Sequence, residues 1–222
     1  MSVEMKDIQS KDILQGVSEA LISQIPVASF FLTAIDNVKG NALQRKFEEW
    51  QEMVGGRLST LEKTVFDNLG NNETFATTLL KTSELAAHSS KKKNEYLANA
   101  TLFAATNEIN EDYLIICLNC MAKYTLSHLL MLHCFHEPSK YIKADNIIAG
   151  SALNLFHEAF PKFDKSISNL IIKDLYSDGF FNTDALSAMS SSSGILTKRT
   201  TKLGDLFLEL FGINSVEVCV WK

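Results

Sequence analysis

Apolar residues recur at alternating steps of four and three along residues 38–69, which is the spacing of one face of an α-helix. Charged residues such as Arg45, Glu48 and Glu52 lie between them, as expected when one stripe packs and the rest is solvated. The stripe consists of Leu43, Phe47, Trp50, Val54, Leu58, Leu61, Val65 and Leu69. Gly55 and Gly56 predict a kink or a break, because glycine costs roughly 1 kcal/mol against alanine in a helix interior. The sequence therefore predicts a long amphipathic helix over 38–69.

Three further helices are predicted between residues 71 and 124. Their predicted N-terminal caps are Asn71 or Asn72, Ser89 or Ser90, and Asn110. Glu111 and Asp112 follow the last of these caps in the first helical turn, where the helix dipole favours carboxylates. The apolar stripes are Phe75, Leu79 and Ala86; then Leu97, Ala100, Phe103 and Ala104; then Leu114, Cys117, Leu118 and Met121.

Shorter elements follow Tyr124. Thr125 is predicted to cap a helix that ends near Pro138, since the residue before a proline is pushed out of the α region. A second helix fits residues 152–160. Asp164 caps a third, which Gly179 ends. Its predicted inward residues are Ile167, Leu170, Ile171 and Leu175.

A two-stranded β-ribbon and a final helix are predicted next. Phe180 and Phe181 lead into a serine-rich tip, and Ile195 and Leu196 lead out of it. The last helix covers residues 203–211. Three helices, a ribbon and a helix resemble a winged helix-turn-helix over 125–212. The most specific pieces are LIIKDLYSDGF at 170–180 and TTKLGDLF at 200–207. The whole chain is also similar to uncharacterised bacterial proteins with a helical front half, a likeness that implies no function.

The predicted fold class is mainly α, with a helical domain at 1–123 and a winged-helix-like domain at 124–222. At 222 residues, 46% of them hydrophobic and 21% charged, the chain can bury an adequate core without disulfides or metals. Its polar N-terminus precedes no secretory signal segment, so we expect a cytoplasmic protein whose four cysteines are thiols.

The most apolar unbroken segment is 25–35. It is too short to span a bilayer, and its length is typical of a buried core helix or an interfacial helix. Residues 25–35 are therefore a candidate contact with a partner protein or a membrane surface.

The sequence carries no convincing catalytic, metal or cofactor site. Cys117, Cys120, His133 and His136 approach a zinc-finger spacing, but both cysteines fall on a predicted helix and the histidines are too closely spaced. Cys134 and a neighbouring histidine lack an orienting third group. No phosphate-binding or dinucleotide-binding glycine loop is found. We expect a protein that is not an enzyme and needs no cofactor.

If the winged helix binds duplex DNA, its third helix enters the major groove and its ribbon follows the backbone. The candidate nucleic-acid-binding residues are Lys165, Ser168, Asn169, Lys173, Lys198, Arg199 and Lys202. Charge weighs against this function, because nine Lys and Arg face ten Asp and Glu from Tyr124 to the end of the chain.

Two hypotheses remain. The first is a nucleic-acid-binding regulator that uses the winged helix. The second is a helical scaffold that binds a partner protein or a membrane surface and whose winged helix does not bind DNA. In either case the helical seam could join two copies as a homodimer or pack within one chain. The candidate interface residues are Leu43, Phe47, Trp50, Val54, Leu58 and Leu61.

Overall fold

The structure is a computed structural model that describes residues 41–143 and 149–214. These residues are mainly α-helical with one short two-stranded antiparallel sheet, which confirms the predicted mainly α class. The resemblance to a winged helix stays a prediction. The chain divides into two compact units, residues 1–118 and residues 119–222. The division falls inside a helix that ends at Lys123, the last residue of the first predicted domain.

Unit 1 is built from helices whose starts follow local capping. They are α1 (Asn41–Leu58), α2 (Lys63–Asn68), α3 (Glu73–Ala86) and α4 (Lys91–Thr106), with a 3-10 turn at Leu69–Asn71; α5 (Glu111–Lys123) leads into unit 2. The Asn72 side chain accepts a hydrogen bond from Phe75 N at 2.9 Å and caps α3, and Ser90 caps α4. Helices α1, α3 and α4 pack pairwise against one another.

The predicted long helix over 38–69 is wrong in its extent. Helix α1 runs through Gly55 and Gly56 and ends at Leu58, and a turn separates it from α2. The Ser59 hydroxyl donates to Gly56 O at 2.8 Å and the Thr60 hydroxyl to Arg57 O at 2.7 Å. These side chains satisfy carbonyls that a longer helix would need, so they end α1 beyond the glycines. Residues 38–40 lie outside the described residues.

The apolar seam of α1 is buried inside unit 1. Phe47, Trp50, Val54 and Leu58 are buried, with Trp50 only 1% exposed, because α4 and α3 cover this side of α1. Leu43 and Leu61 are half-buried. The four buried residues therefore offer no free surface to a second copy, which corrects their assignment to an oligomer interface. A homodimer stays a prediction that would need another face.

Small and polar side chains fill the contacts of α4. The hydroxyl oxygens of Thr82 on α3 and Thr101 on α4 lie 3.0 Å apart in the buried interior. Asn94 on α4 is fully buried and donates to Lys46 O and to Ala86 O, each at 3.2 Å. One amide thus links α4 with α1 and α3, as expected for a buried polar group that must be hydrogen-bonded.

Unit 2 surrounds an aromatic core. Its elements are α6 (Leu126–His136), α7 (Pro138–Tyr141), β1 (Ala149–Ser151), α8 (Ala152–Ala159), a 3-10 turn (Lys165–Ile167), α9 (Ser168–Ser177), β2 (Met189–Ser191), α10 (Ser192–Ile195) and α11 (Lys202–Leu210). The rings of Phe135 and Phe181 meet edge to face at 5.9 Å, and Phe180 lies 4.9 Å from Phe207. Such ring pairs stabilise a core beyond the area they bury.

The two-stranded sheet differs from the predicted ribbon. Strand β1 pairs with β2, with Gly150 opposite Ser190, whereas Phe181 bridges Thr200. The segment whose backbone pairs with Phe180 and Phe181 is therefore 199–201. Ile195 and Leu196 do not pair there, because the Ser191 side chain caps α10 and turns the chain into a helix.

No helix among the described residues is long and apolar enough to cross a membrane. The segment 25–35 lies outside the described residues. Its predicted contact with a partner protein or a membrane surface therefore stays a prediction.

Replacing Trp50 by Ala should lower the free energy of unfolding by about 3 to 5 kcal/mol, because it empties a large aromatic site in the core of unit 1. Glu52→Ala on the exposed side of α1 is the matched control and should change it by no more than about 0.5 kcal/mol. Urea unfolding followed by far-ultraviolet circular dichroism measures both. Unchanged stability combined with loss of a dimer would instead place Trp50 between two copies.

Candidate interaction face on helix α9

Helix α9 is held in place at both ends by local structure. Before it, the Asp164 carboxylate accepts hydrogen bonds from Ser166 N at 2.9 Å and from the Ser166 hydroxyl at 2.7 Å. After it, Gly179 has a φ of 79°, and Phe180 N donates to Leu175 O at 2.8 Å. A left-handed residue followed by such a bond ends many helices, and glycine adopts it without strain. The prediction that Gly179 ends the helix is confirmed.

The buried side of α9 is rotated from the predicted one. Its buried residues are Ser168, Ile171, Ile172 and Leu175, whose spacing of three, four and seven residues forms one helical stripe. Ser168 is 1% exposed, and its hydroxyl oxygen lies 2.8 Å from His157 Nε2 on α8. Ser168 is therefore no nucleic-acid contact, because its side chain packs between the two helices. Leu170, predicted to lie inward, is exposed instead.

The solvent side of α9 combines apolar and cationic side chains. Leu170 is 59% exposed and Tyr176 is 46% exposed, and Lys173 lies between them in the helix. Asn169 and Lys165, the latter in the turn before α9, are also exposed. We call these five residues the outer face of α9. Three of the predicted nucleic-acid contacts, Lys165, Asn169 and Lys173, lie on it.

Residues at the end of α5 and the start of α6 contact two aspartates, Asp174 on α9 and Asp178 at its C-terminal cap. Lys123 Nζ lies 2.9 Å from Asp178 and 3.4 Å from Asp174. The Tyr124 hydroxyl donates to Asp178 at 2.8 Å, and His128 Nε2 lies 3.4 Å from Asp174. The hydrogen bond to Asp178 raises the pKa of Lys123 and keeps it charged. The Lys123 ammonium thus offsets one of the two negative charges, and the contacts to both carboxylates anchor the end of α9.

The predicted cationic residues of the wing are engaged as well. Lys198 Nζ lies 2.6 Å from Asp205 on α11, and that carboxylate also accepts from the Thr200 hydroxyl at 2.6 Å. The half-buried Arg199 donates from Nη2 to Gly194 O at 2.6 Å. Lys202 is exposed at the start of α11. Lys198 and Arg199 would have to leave these partners to contact a phosphate.

The residues considered for metal binding or catalysis are spread over helices. Cys117 and Cys120 lie three residues apart on α5, as the pattern predicted, and Cys117 is buried. Within residues 41–143 and 149–214, no group of three or more His, Cys, Asp and Glu side chains is placed to hold a metal ion. Burial raises the pKa of the Cys134 thiol, which favours its unreactive protonated form.

An open groove of about 490 Å³ lies in unit 1. It is lined by Thr64, Val65, Asn68, Leu69, Asn71, Asn72 and Ala105. Two of its three asparagine amides already donate to the backbone, Asn68 to Thr64 O and Asn72 to Ala104 O. The groove therefore offers fewer free polar groups than its lining suggests.

Sequence reasoning missed the contact between Ser168 and His157 and the exposure of Leu170 and Tyr176. One signal was available. Ile171, Ile172 and Leu175 form a stripe as regular as the predicted one, and this stripe places Leu170 on the outward side of the helix.

The free energy of unfolding should fall as the pH is lowered from 7 to 5. Burial lowers the pKa of His128, His133 and His157 below 6.5, so the unfolded chain binds more protons than the folded chain in this range. His133 is 2% exposed, and neither ring nitrogen has a hydrogen-bond partner among the described residues. His133→Phe should flatten the dependence by up to about 1.4 kcal/mol per pH unit.

Chemical denaturation at several pH values measures this slope. Leu132→Val, a buried apolar change on the same helix as His133, is the control and should lower stability by a similar amount at every pH, because it removes no titratable group. A His133→Phe variant with the slope of the original protein would contradict the assignment.

Comparisons with known proteins assign the chain to no family. The chain matches no protein-family model, no curated protein and no solved structure.

Proposed function

We propose that the protein is a non-enzymatic binding protein that holds a partner protein on the outer face of α9. The observation that carries the proposal is the exposure of Leu170 at 59% and Tyr176 at 46% on one well-anchored helix. Exposed apolar side chains that cluster on a surface mark interaction sites more often than isolated ones do. Leu170, Lys173 and Tyr176 follow one another at three-residue steps and are therefore neighbours on the helix surface.

The anchoring of α9 favours binding. Its C-terminal end is fixed by Lys123 and Tyr124, and its buried stripe packs into the core of unit 2. A face that is rigid before binding loses little conformational entropy when a partner docks. Tyrosine is also enriched at protein interfaces, because it buries a large ring while its hydroxyl stays available for a hydrogen bond.

The electrostatics favour a protein partner over DNA. Residues 119–222 contain ten basic and ten acidic residues, so unit 2 lacks the basic surplus that drives phosphate binding. Lys198 is neutralised by Asp205, and Arg199 bonds to the backbone. Ser168, one of the candidate base contacts, is buried.

A photo-crosslinking amino acid at position 170 or 176 should capture one specific partner in the cells that make the protein. The same amino acid at position 162, which is exposed in unit 2 outside α9, is the matched control and should not. Adding Tyr176→Ser to the protein labelled at 170 should reduce the adduct at least fivefold, because it removes half of the apolar contact. Identical adducts at 162 and 170, or none at 170, would remove the support for this function.

Duplex DNA is the second candidate, and one observation favours it. Because Lys123 offsets one of the two negative charges of Asp174 and Asp178, these carboxylates repel phosphates less than their number suggests. The polar side chains left on the outer face are Lys165, Asn169 and Lys173, which suit phosphate and base-edge contacts.

If DNA is the ligand, binding to a random duplex should weaken steeply as salt rises from 50 to 200 mM. Replacing Lys165 and Lys173 by Ala should lower the slope of log K against log salt by up to about two charges' worth. Lys63→Ala, an exposed lysine of unit 1, is the control and should leave the slope unchanged. Absence of salt-dependent binding at 50 mM would exclude this function.

A further inference from the structure

The outer face of α9 presents apolar groups beside the ammonium groups of two lysines. Lys165 and Lys173 are exposed, while Asp174 and Asp178 are drawn to Lys123. Asp164, next to Lys165 in the sequence, accepts two hydrogen bonds from Ser166 that lower its pKa and keep it charged, but among the described residues it forms no ion pair with Lys165. A ligand that reaches Leu170 and Tyr176 therefore meets ammonium groups that α9's own carboxylates do not neutralise.

We propose that the partner segment is an acidic amphipathic peptide, an inference that rests on the protein-binding function above. Its apolar side chains cover Leu170 and Tyr176, and its carboxylates face Lys173 and Lys165. Charge complementarity of this kind selects the partner and sets its register on the surface. A lysine also covers apolar surface with its methylene groups while its ammonium stays in water, so Lys173 serves both parts of the contact.

The spacing of the outer face defines the pattern that the partner needs. Leu170 and Tyr176 are six residues apart, which is about 9 Å along a helix at roughly 1.5 Å per residue. Lys173 lies halfway between them. A matching peptide carries two apolar side chains about one and two-thirds helical turns apart with a carboxylate between them.

This chemistry separates a peptide from a nucleic acid. DNA would use Lys165 and Lys173 for its phosphates and gain little from Leu170 and Tyr176, whereas an acidic peptide needs both pairs. The loss of binding on removing the two apolar groups therefore discriminates between the two classes of ligand.

A charge-swap experiment with two synthetic peptides tests the proposal on the full chain. Both probes are labelled 14-residue helical peptides with leucines at the same positions, one with Glu and one with Lys at the remaining charged positions. Fluorescence anisotropy at 100 mM salt measures their affinities. The Glu peptide should bind at least tenfold more tightly than the Lys peptide. Lys165→Glu with Lys173→Glu should invert that order, and Leu170→Ser with Tyr176→Ser should weaken the Glu peptide at least tenfold.

The control variant is Lys63→Glu, which changes the net charge equally per site but lies in unit 1, and should keep the preference for the Glu peptide. Circular dichroism confirms that each variant is folded. If both peptides bind equally and binding still depends on Leu170 and Tyr176, the inference of an acidic partner is wrong, but the protein-binding function stands. Failure of the Glu peptide to bind at millimolar concentration would also overturn it.

Two further outcomes would contradict the proposed function itself. Binding of the Glu peptide that is unaffected by Leu170→Ser with Tyr176→Ser would remove the outer face as the docking surface. Displacement of the peptide by a random duplex at equal charge concentration, with no dependence on the two apolar residues, would assign the face to nucleic acid.

Discussion

The surface that α9 presents depends on the ion pairs between Lys123 and the carboxylates of Asp174 and Asp178. Partly buried carboxylates are costly unless they are hydrogen-bonded and paired, and here Lys123, Tyr124 and His128 supply the partners. The His128 ring also stacks on Tyr124 at 4.8 Å, which packs the donors together. Because both aspartates point to these partners, the orientation of α9 about its axis is restricted, with Ser168 inward and Leu170 outward.

A second carboxylate, Asp205, offsets positive charge on the surface around Lys198. Asp205 on α11 draws in Lys198 and lies 2.9 Å from His136 Nδ1. Burial acts to raise the pKa of Asp205, but hydrogen bonds from Lys198 and Thr200 outweigh it and leave that pKa below its ordinary value. The charged carboxylate of Asp205 therefore offsets Lys198, whereas Lys123 offsets one of the two negative charges at Asp174 and Asp178. Charge is redistributed within a unit that is nearly neutral in total.

Unit 1 uses its amphipathic helix for its own core. The seam of α1 packs on α4 and α3, and the buried amide of Asn94 links all three helices. An amphipathic stripe is suited equally to a partner in the same chain or in another, so its existence does not reveal which one covers it. The proposals for function consequently rest on α9, where large apolar side chains remain exposed.

The sequence by itself determined the features that depend on neighbours within a few residues. The caps at Asn72 and Ser90 and the end of α9 at Gly179 follow from residues that bond or relax the adjacent backbone. Asp164 also acts as a cap, but of the 3-10 turn that precedes α9 and not of the helix itself. Only the tertiary structure decided which side of α9 is buried, which segment returns beside Phe181 and what covers Trp50. Two apolar stripes of similar regularity compete along α9, and the choice between them is made by contacts with residues far away in the sequence, such as His157 and Lys123. Local periodicity contains no information about those distant partners, because the free energy that selects them arises only when the chain packs.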